Sequence, residues 1–344
     1  KVSLILLVAL GFTISCSDET TVYSDPQDDL SLEENEAVLD NSIMYDDAGV
    51  LDIIGQDQIS GKSSKSNFEE QAGDYPLTLV AQVDPPSFQN GGESLTASHV
   101  HVVDNYAYVS YNTVEGGYAG AVDIVNVEDP NKPRVTSRLY YLNADINSIK
   151  YENGYVYIVG GVDSEKSVRA TSNSFVARIV ASGGRFNTSA GIIYGFQQGF
   201  NSTDVALTDS SVMVTSGKDG TLTVYKKSDL TIQNELPLAD LRSVAVSNDN
   251  IAVLDASKGV TIVDQNLSVK KEIAIDSDFG PNSKRTLGFS GDNIVVAEGS
   301  KGAGVYSAET GSLLEYIAIP IDPEGVAQGD KVTNAASKPA IFCC

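Results

Sequence analysis

Leu241-Arg-Ser-Val-Ala-Val-Ser-Asn-Asp-Asn-Ile-Ala-Val-Leu-Asp255 is followed by Lys258-Gly-Val-Thr-Ile-Val-Asp264 and then by Leu267-Ser-Val-Lys-Lys-Glu-Ile-Ala-Ile275. Short alternating runs of β-branched residues, broken by an Asn-Asp turn, a glycine and a polar loop, spell four strands in succession. The unit recurs downstream as Arg285-Thr-Leu-Gly-Phe-Ser-Gly-Asp-Asn-Ile-Val-Val-Ala297, Gly304-Val-Tyr-Ser-Ala-Glu309 and residues 313–319. Upstream it recurs as Asp204-Val-Ala-Leu-Thr-Asp-Ser-Ser-Val-Met-Val-Thr215, Gly220-Thr-Leu-Thr-Val-Tyr225 and residues 231–238. Two earlier copies begin at Ile146 and at Ser98. Gly220, Gly259 and Gly304 lie 39 and then 45 residues apart. Four strands per repeat at that spacing predict the blades of an all-β propeller, five complete and a sixth cut short. A lone four-stranded sheet cannot bury both of its faces, whereas a ring of such sheets can.

Gly259-Val-Thr-Ile-Val-Asp264 and Gly120-Ala-Val-Asp-Ile-Val-Asn-Val-Glu-Asp-Pro130 resemble the LVIVD repeat, which takes its name from this third strand. Asp129-Pro130, Pro133 and the tyrosine-rich Asn105-Tyr-Ala-Tyr-Val109 fit the same pattern. The resemblance covers roughly residues 76–319 and is strong in the first and fourth copies. In the third and fifth copies Tyr225 and Glu309 stand where the fourth has Asp264. It implies a propeller from an exported bacterial lipoprotein, with no defined reaction or ligand.

The amino terminus points the same way. Lys1 precedes about a dozen apolar residues that end at Phe12, too few for the roughly 20 residues of a membrane span and suited to a secretory signal. Thr13-Ile14-Ser15 before Cys16 resembles a loose lipobox, with Cys16 the lipidated first residue of the mature chain. Asp18 and Glu19 behind it resemble the surface-export signal of Bacteroidetes lipoproteins. The expected order is a signal peptide (1–15), an acidic disordered tether (16–74) and the propeller (75–344). The expected location is the outer membrane, lipid-anchored and exposed at the cell surface.

Residues 17–75 hold sixteen Asp or Glu and two Lys, fourteen of the chain's 23 net negative charges. Such a composition cannot bury enough apolar area to offset chain entropy, although residues 30–54 suit a short helix. An acidic surface without a basic stripe excludes nucleic acid as a partner. Residues 75–83 read as the outer strand of the final blade, donated by the amino terminus. Residues 332–337 start a sixth copy that residues 339–344 carry into a second strand, which reads as a truncation. Cys343 and Cys344 are adjacent, too close for an unstrained disulfide.

Little of the chain suggests catalysis. His99 and His101, the only histidines, lie two apart on one strand and share a face, a spacing that can ligate zinc or copper. With only Asp104 near them to complete the set, packing is the expected role, and neither metal nor cofactor is implied. Asp264 and Glu309 are expected to bond their own turns. Tyr106 and Tyr108 should fill the gap between blades, and Tyr111 and Tyr118 should border a loop able to stack on a sugar or grip a peptide, there being no Trp. The expected function is a non-enzymatic binding or scaffolding module with the membrane and a surface protein or glycan as partners. The alternatives are a metal-assisted hydrolase or polysaccharide-active enzyme built on His99, His101 and Asp104, and a subunit of a surface uptake or adhesion complex.

Overall fold

The structure, a computed structural model, describes residues 30–45, 81–87, 94–113, 116–167, 169–277, 279–280, 284–317, 336–338 and 341–343. The signal segment, Cys16 and most of the acidic stretch lie outside the described residues.

The described chain is all-β, with five four-stranded antiparallel units in sequence. A short amino-terminal group comes first: β1 (Leu30–Glu33), α1 (Glu36–Asp40), β2 (Ile43–Met44) and β3 (Gln82–Val83). The first unit is β4 (Thr96–Val103), β5 (Tyr106–Asn112), β6 (Gly120–Asn126) and β7 (Arg134–Tyr141). The second is β8 (Ala144–Glu152), β9 (Tyr155–Val162), β10 (Ser174–Ser182) and β11 (Arg185–Gln197). In the third, β12 (Asp204–Leu207), β13 (Ser211–Thr215) and β14 (Gly217–Lys226) are completed by the first half of β15 (Ile232–Ser247). The second half of β15 opens the fourth unit, with β16 (Asn250–Asp255), β17 (Gly259–Val263) and β18 (Val269–Ala274), so the two units form one seven-stranded sheet. The fifth is β19 (Leu287–Ser290), β20 (Asn293–Ala297), β21 (Ala303–Ser307) and β22 (Leu313–Ile317). A hairpin of β23 (Ala336–Lys338) and β24 (Ile341–Cys343) stands where the sixth copy was expected. Among the described residues no strand pairing joins the fifth unit to the first.

Apolar side chains pack from sheet to sheet. Tyr108 stacks on Tyr151 of the second unit, centroids 4.5 Å apart and 8° from parallel. Tyr106 covers Gly184, where a Cβ would stand 2.5 Å from its ring. Val100 and Val102, on the opposite side of β4, are exposed.

Two expectations about the amino terminus are corrected. Within the acidic stretch expected to be mostly disordered, residues 30–45 are folded onto the first unit, and α1 lies inside the range expected to suit a short helix. The outer edge of β7 offers unpaired backbone groups, and β1 takes them antiparallel from Leu30 opposite Tyr141 to Glu33 opposite Arg138. Asn35 caps α1 by accepting the Ala37 N–H at 3.1 Å. Leu39 and Ile43 then bury against Val125 and Val135, and the Tyr45 hydroxyl donates to the Pro133 carbonyl at 2.5 Å. The described part of the strand expected over 75–83 pairs with β2, Ile43 opposite Val83, rather than beside the terminal hairpin. Ala81 and Val83 are held by the same apolar cluster.

Candidate functional site

The first strands of successive units carry a repeated polar contact. Ser98, Asn147 and Arg242 each sit at a register shift, where an extra residue re-aims a side chain. Ser98 Oγ donates to the Ile146 carbonyl at 2.5 Å, and Asn147 Nδ2 to the Ser202 carbonyl at 2.8 Å. Thr203 Oγ1 donates to the Leu241 carbonyl at 3.2 Å. In each case the acceptor is the residue just before the equivalent position of the next unit. Arg242 Nη2 continues the series onto the Gly280 carbonyl at 3.2 Å, at the approach to the fifth unit.

One residue further along, Asp204 gathers three units. Its Oδ1 accepts from Ser148 Oγ at 2.7 Å and the Val205 N–H at 2.9 Å. Its Oδ2 accepts from Ser243 Oγ at 2.5 Å and the Val244 N–H at 3.1 Å. Burial works to raise its pKa, but the fields of His99, Lys284 and Lys150 and the Ser243 bond hold it below the ordinary carboxylate value. Lys284, just before β19, donates to the carbonyls of Ser98 and Asn147 and so ties the fifth unit to the first and second. Burial pushes its ammonium down to about 8, with Asp204 working the other way.

His99 lies within the same field. Burial first, then Lys284 and Lys150, pushes it down to about 3, and its Nδ1 is shielded without a hydrogen-bond partner among the described residues. His101 Nδ1 accepts the Tyr151 N–H at 2.9 Å, which places its ring proton on Nε2 and makes it a link between the first two units. The two histidines do share a face, but Asp104 does not join them. It occupies the β4–β5 turn with φ 51°, five residues beyond His99, roughly 16 Å along an extended strand. The catalytic alternative built on His99, His101 and Asp104 therefore loses its convergence. Among the described residues no three His, Cys, Asp or Glu side chains gather as a metal set. The arrangement holds charge and links sheets, and every acceptor oxygen of Asp204 is occupied.

The tyrosines separate sharply. Tyr111 belongs to β5 rather than to a loop and is 2% exposed. Its hydroxyl donates to Asp123 Oδ2 at 3.1 Å, and Arg138 grips the same carboxylate through Nε and Nη2 at 2.7 Å each. It is part of the core, not a ligand contact. Tyr118 is half-buried in the loop before β6, and its ring centroid lies 6.3 Å from that of the exposed Phe200. Asp264 accepts the N–H groups of Asn266 and Ser268, the turn role expected of it.

Asp204, Lys284, Lys150 and Phe200 were not singled out from the sequence. A signal existed for the first two: aligning the copies puts Asp204 level with His99, and Lys284 shortly ahead of the fifth first strand. The residue at that position changes from His99 to Ser148, Asp204 and Ser243 along the copies, so apolar periodicity passes over it.

No protein-family model matches the chain, and no curated protein matches it. The likeness to the LVIVD repeat rests on the quoted strands alone.

Proposed function

We propose that this chain is a β-propeller of the LVIVD-repeat kind, acting as a non-enzymatic binding or scaffolding module held at the outer membrane by lipid on Cys16. The observation that carries this reading is the series of bonds from each first strand to the next, with Lys284 returning from the fifth unit to the first two. Sheets linked in that way around a shared polar centre suit a rigid disc. Polar groups consumed by such links are poor candidates for chemistry, whereas loops at the ends of the sheets remain free to recognise a partner.

The docking of residues 30–45 shortens the expected tether. Thirteen residues lie between Cys16 and Leu30, at most about 50 Å of extended chain. The disc therefore works close to the lipid.

Replacing Cys16 by Ser tests the anchor. The wild type is expected in the outer-membrane fraction, with a mature mass that includes the lipid and sensitivity to protease added to intact cells. The C16S protein is expected to lose both the lipid mass and the membrane fraction. Identical mass and fractionation of the two proteins would overturn the anchored reading.

A further inference from the structure

Phe200 is 67% exposed, the most exposed of the large apolar side chains among the described residues. Its loop is not slack. Ser216 Oγ donates to the Gln198 carbonyl at 2.5 Å, and the Ser202 N–H donates to the Gly160 carbonyl at 3.0 Å. Gly199 adopts φ +123°, and a Cβ there would stand 2.4 Å from the Ser216 carbonyl oxygen. The chain is thus fixed in a turn that drives an aromatic ring outward.

The Tyr118 ring stands beside it, tilted by 45°. Gly161 lies beneath, where a Cβ would meet both the Tyr118 ring and the Asn201 amide at 3.0 Å. Two apolar ring faces and an amide therefore meet over bare backbone at the end of β9. We propose that Tyr118, Phe200 and Asn201 form a binding site for the ring of a neutral sugar. This inference rests on the reading of the chain as a binding module and names its ligand class.

The groups left over at the notch select the ligand. Asn201 Oδ1 accepts from Asn147 Nδ2 at 2.5 Å, and its own amino group has no partner among the described residues. The Tyr118 hydroxyl accepts from Asn173 Nδ2 at 3.4 Å and keeps its proton free to donate. The nearby carboxylates make bonds of their own. Asp145 Oδ1 holds the Thr113 N–H and hydroxyl at 2.9 and 2.8 Å, and Asp163 pairs with Lys166 at 2.9 Å. Donors and ring faces, with Asp145 Oδ1 and Asp163 already bonded, suit a ligand with acceptor oxygens and C–H faces, which describes a pyranose. A cationic ligand offers no acceptor for those donors. An anionic one meets the field of Asp163 and Asp145, which adds to burial in raising the Tyr118 hydroxyl above its ordinary value.

Native electrophoresis of the full chain through gels containing neutral polysaccharides (xyloglucan, galactomannan, laminarin, glycogen) tests this, with polygalacturonate as the anionic comparison. At least one neutral polymer is expected to retard the wild type, unchanged by 0.5 M salt. Phe200→Ala should weaken that retardation at least tenfold, and Tyr118→Phe about threefold. Ile232→Ala, at an exposed site elsewhere, should leave it alone. Melting temperatures within a degree of wild type would establish that the variants fold. The proposal is overturned if no neutral polymer retards the wild type, if Phe200→Ala binds as before, or if only polygalacturonate retards it and salt abolishes the effect. Membrane fractionation through Cys16 reads independently, so failure here leaves the anchored-module reading standing.

Discussion

His99 remains neutral throughout the range in which an exposed histidine takes up a proton, and the reason lies in what surrounds it. Burial removes water from the ring, Lys284 and Lys150 add positive potential, Asp204 works against them, and His101 adds a smaller repulsion. Its folded value near 3 lies below the 6.5 of the unfolded chain, so between those pH values the unfolded state binds more protons. Stability from this residue is therefore complete above pH 6.5 and is lost as the pH falls toward 3. Thermal denaturation across pH 3–8 should show that loss, of the order of a few kcal/mol. His99→Gln should flatten the profile between pH 6.5 and 3. An equally steep profile in the variant would show that other groups control the acid limb. The shared face of the two histidines was legible from their spacing alone. Their true companions were not, because Asp204 and Lys284 arrive from copies more than a hundred residues away. Asp104, near in sequence, is carried off by the extended strand.

At the scale of an element, the repeat marked the strands well because the third strands of the first, third and fourth units begin at a glycine, in the first and fourth against a neighbouring backbone. Gly120 would place a Cβ 2.6 Å from the Ala144 carbonyl oxygen, and Gly259 one 2.2 Å from that of Ile273. The continuous β15 was not legible, since the expected fourth strand of one copy and first strand of the next were read as separate. The chain passes from sheet to sheet without a loop there, the Ala239 N–H held by Asp255 Oδ2 at 3.1 Å. Residues 30–45 were legible only as a short helix: the charge of a long acidic stretch outweighed Leu39 and Ile43, whose partners Val125 and Val135 no local pattern reveals. Adjacent strands β6 and β7 also supply the most demanding polar contact of the first unit, with Asp123 fully buried and gripped twice by Arg138. Removing one partner of such a pair strands a charge. Arg138→Met should cost about 3–5 kcal/mol in urea denaturation, and Asp123→Leu combined with it should recover most of the loss. A double variant no more stable than the single would place the cost in packing.

For the whole molecule, the question is what keeps five four-stranded units acting together. Most contacts are sequential, first strand to next first strand, and a chain of sequential contacts can open at its ends. Lys284 is different, because it runs from the approach to β19 back to carbonyls of β4 and β8. Ionised, it donates to both, yet its value near 8 records the cost of holding that charge away from water. Between pH 8 and 10.5 the unfolded chain binds more protons at this residue, so its share of the stability rises with pH over that interval. Lys284→Met keeps the aliphatic stem, removes the charge and leaves the two carbonyls without their donor. Total stability can then change little while the tie is lost, so the informative measurement is local. Hydrogen exchange followed by mass spectrometry should show β4 and β19 exchanging at least tenfold faster in the variant, with β9 and β10 of the second unit unchanged. Unchanged protection in β4 and β19 would show that the sequential contacts alone hold the first and fifth units in place. A uniform loss throughout the chain would mean that the lysine supports overall stability rather than a clasp between distant sheets.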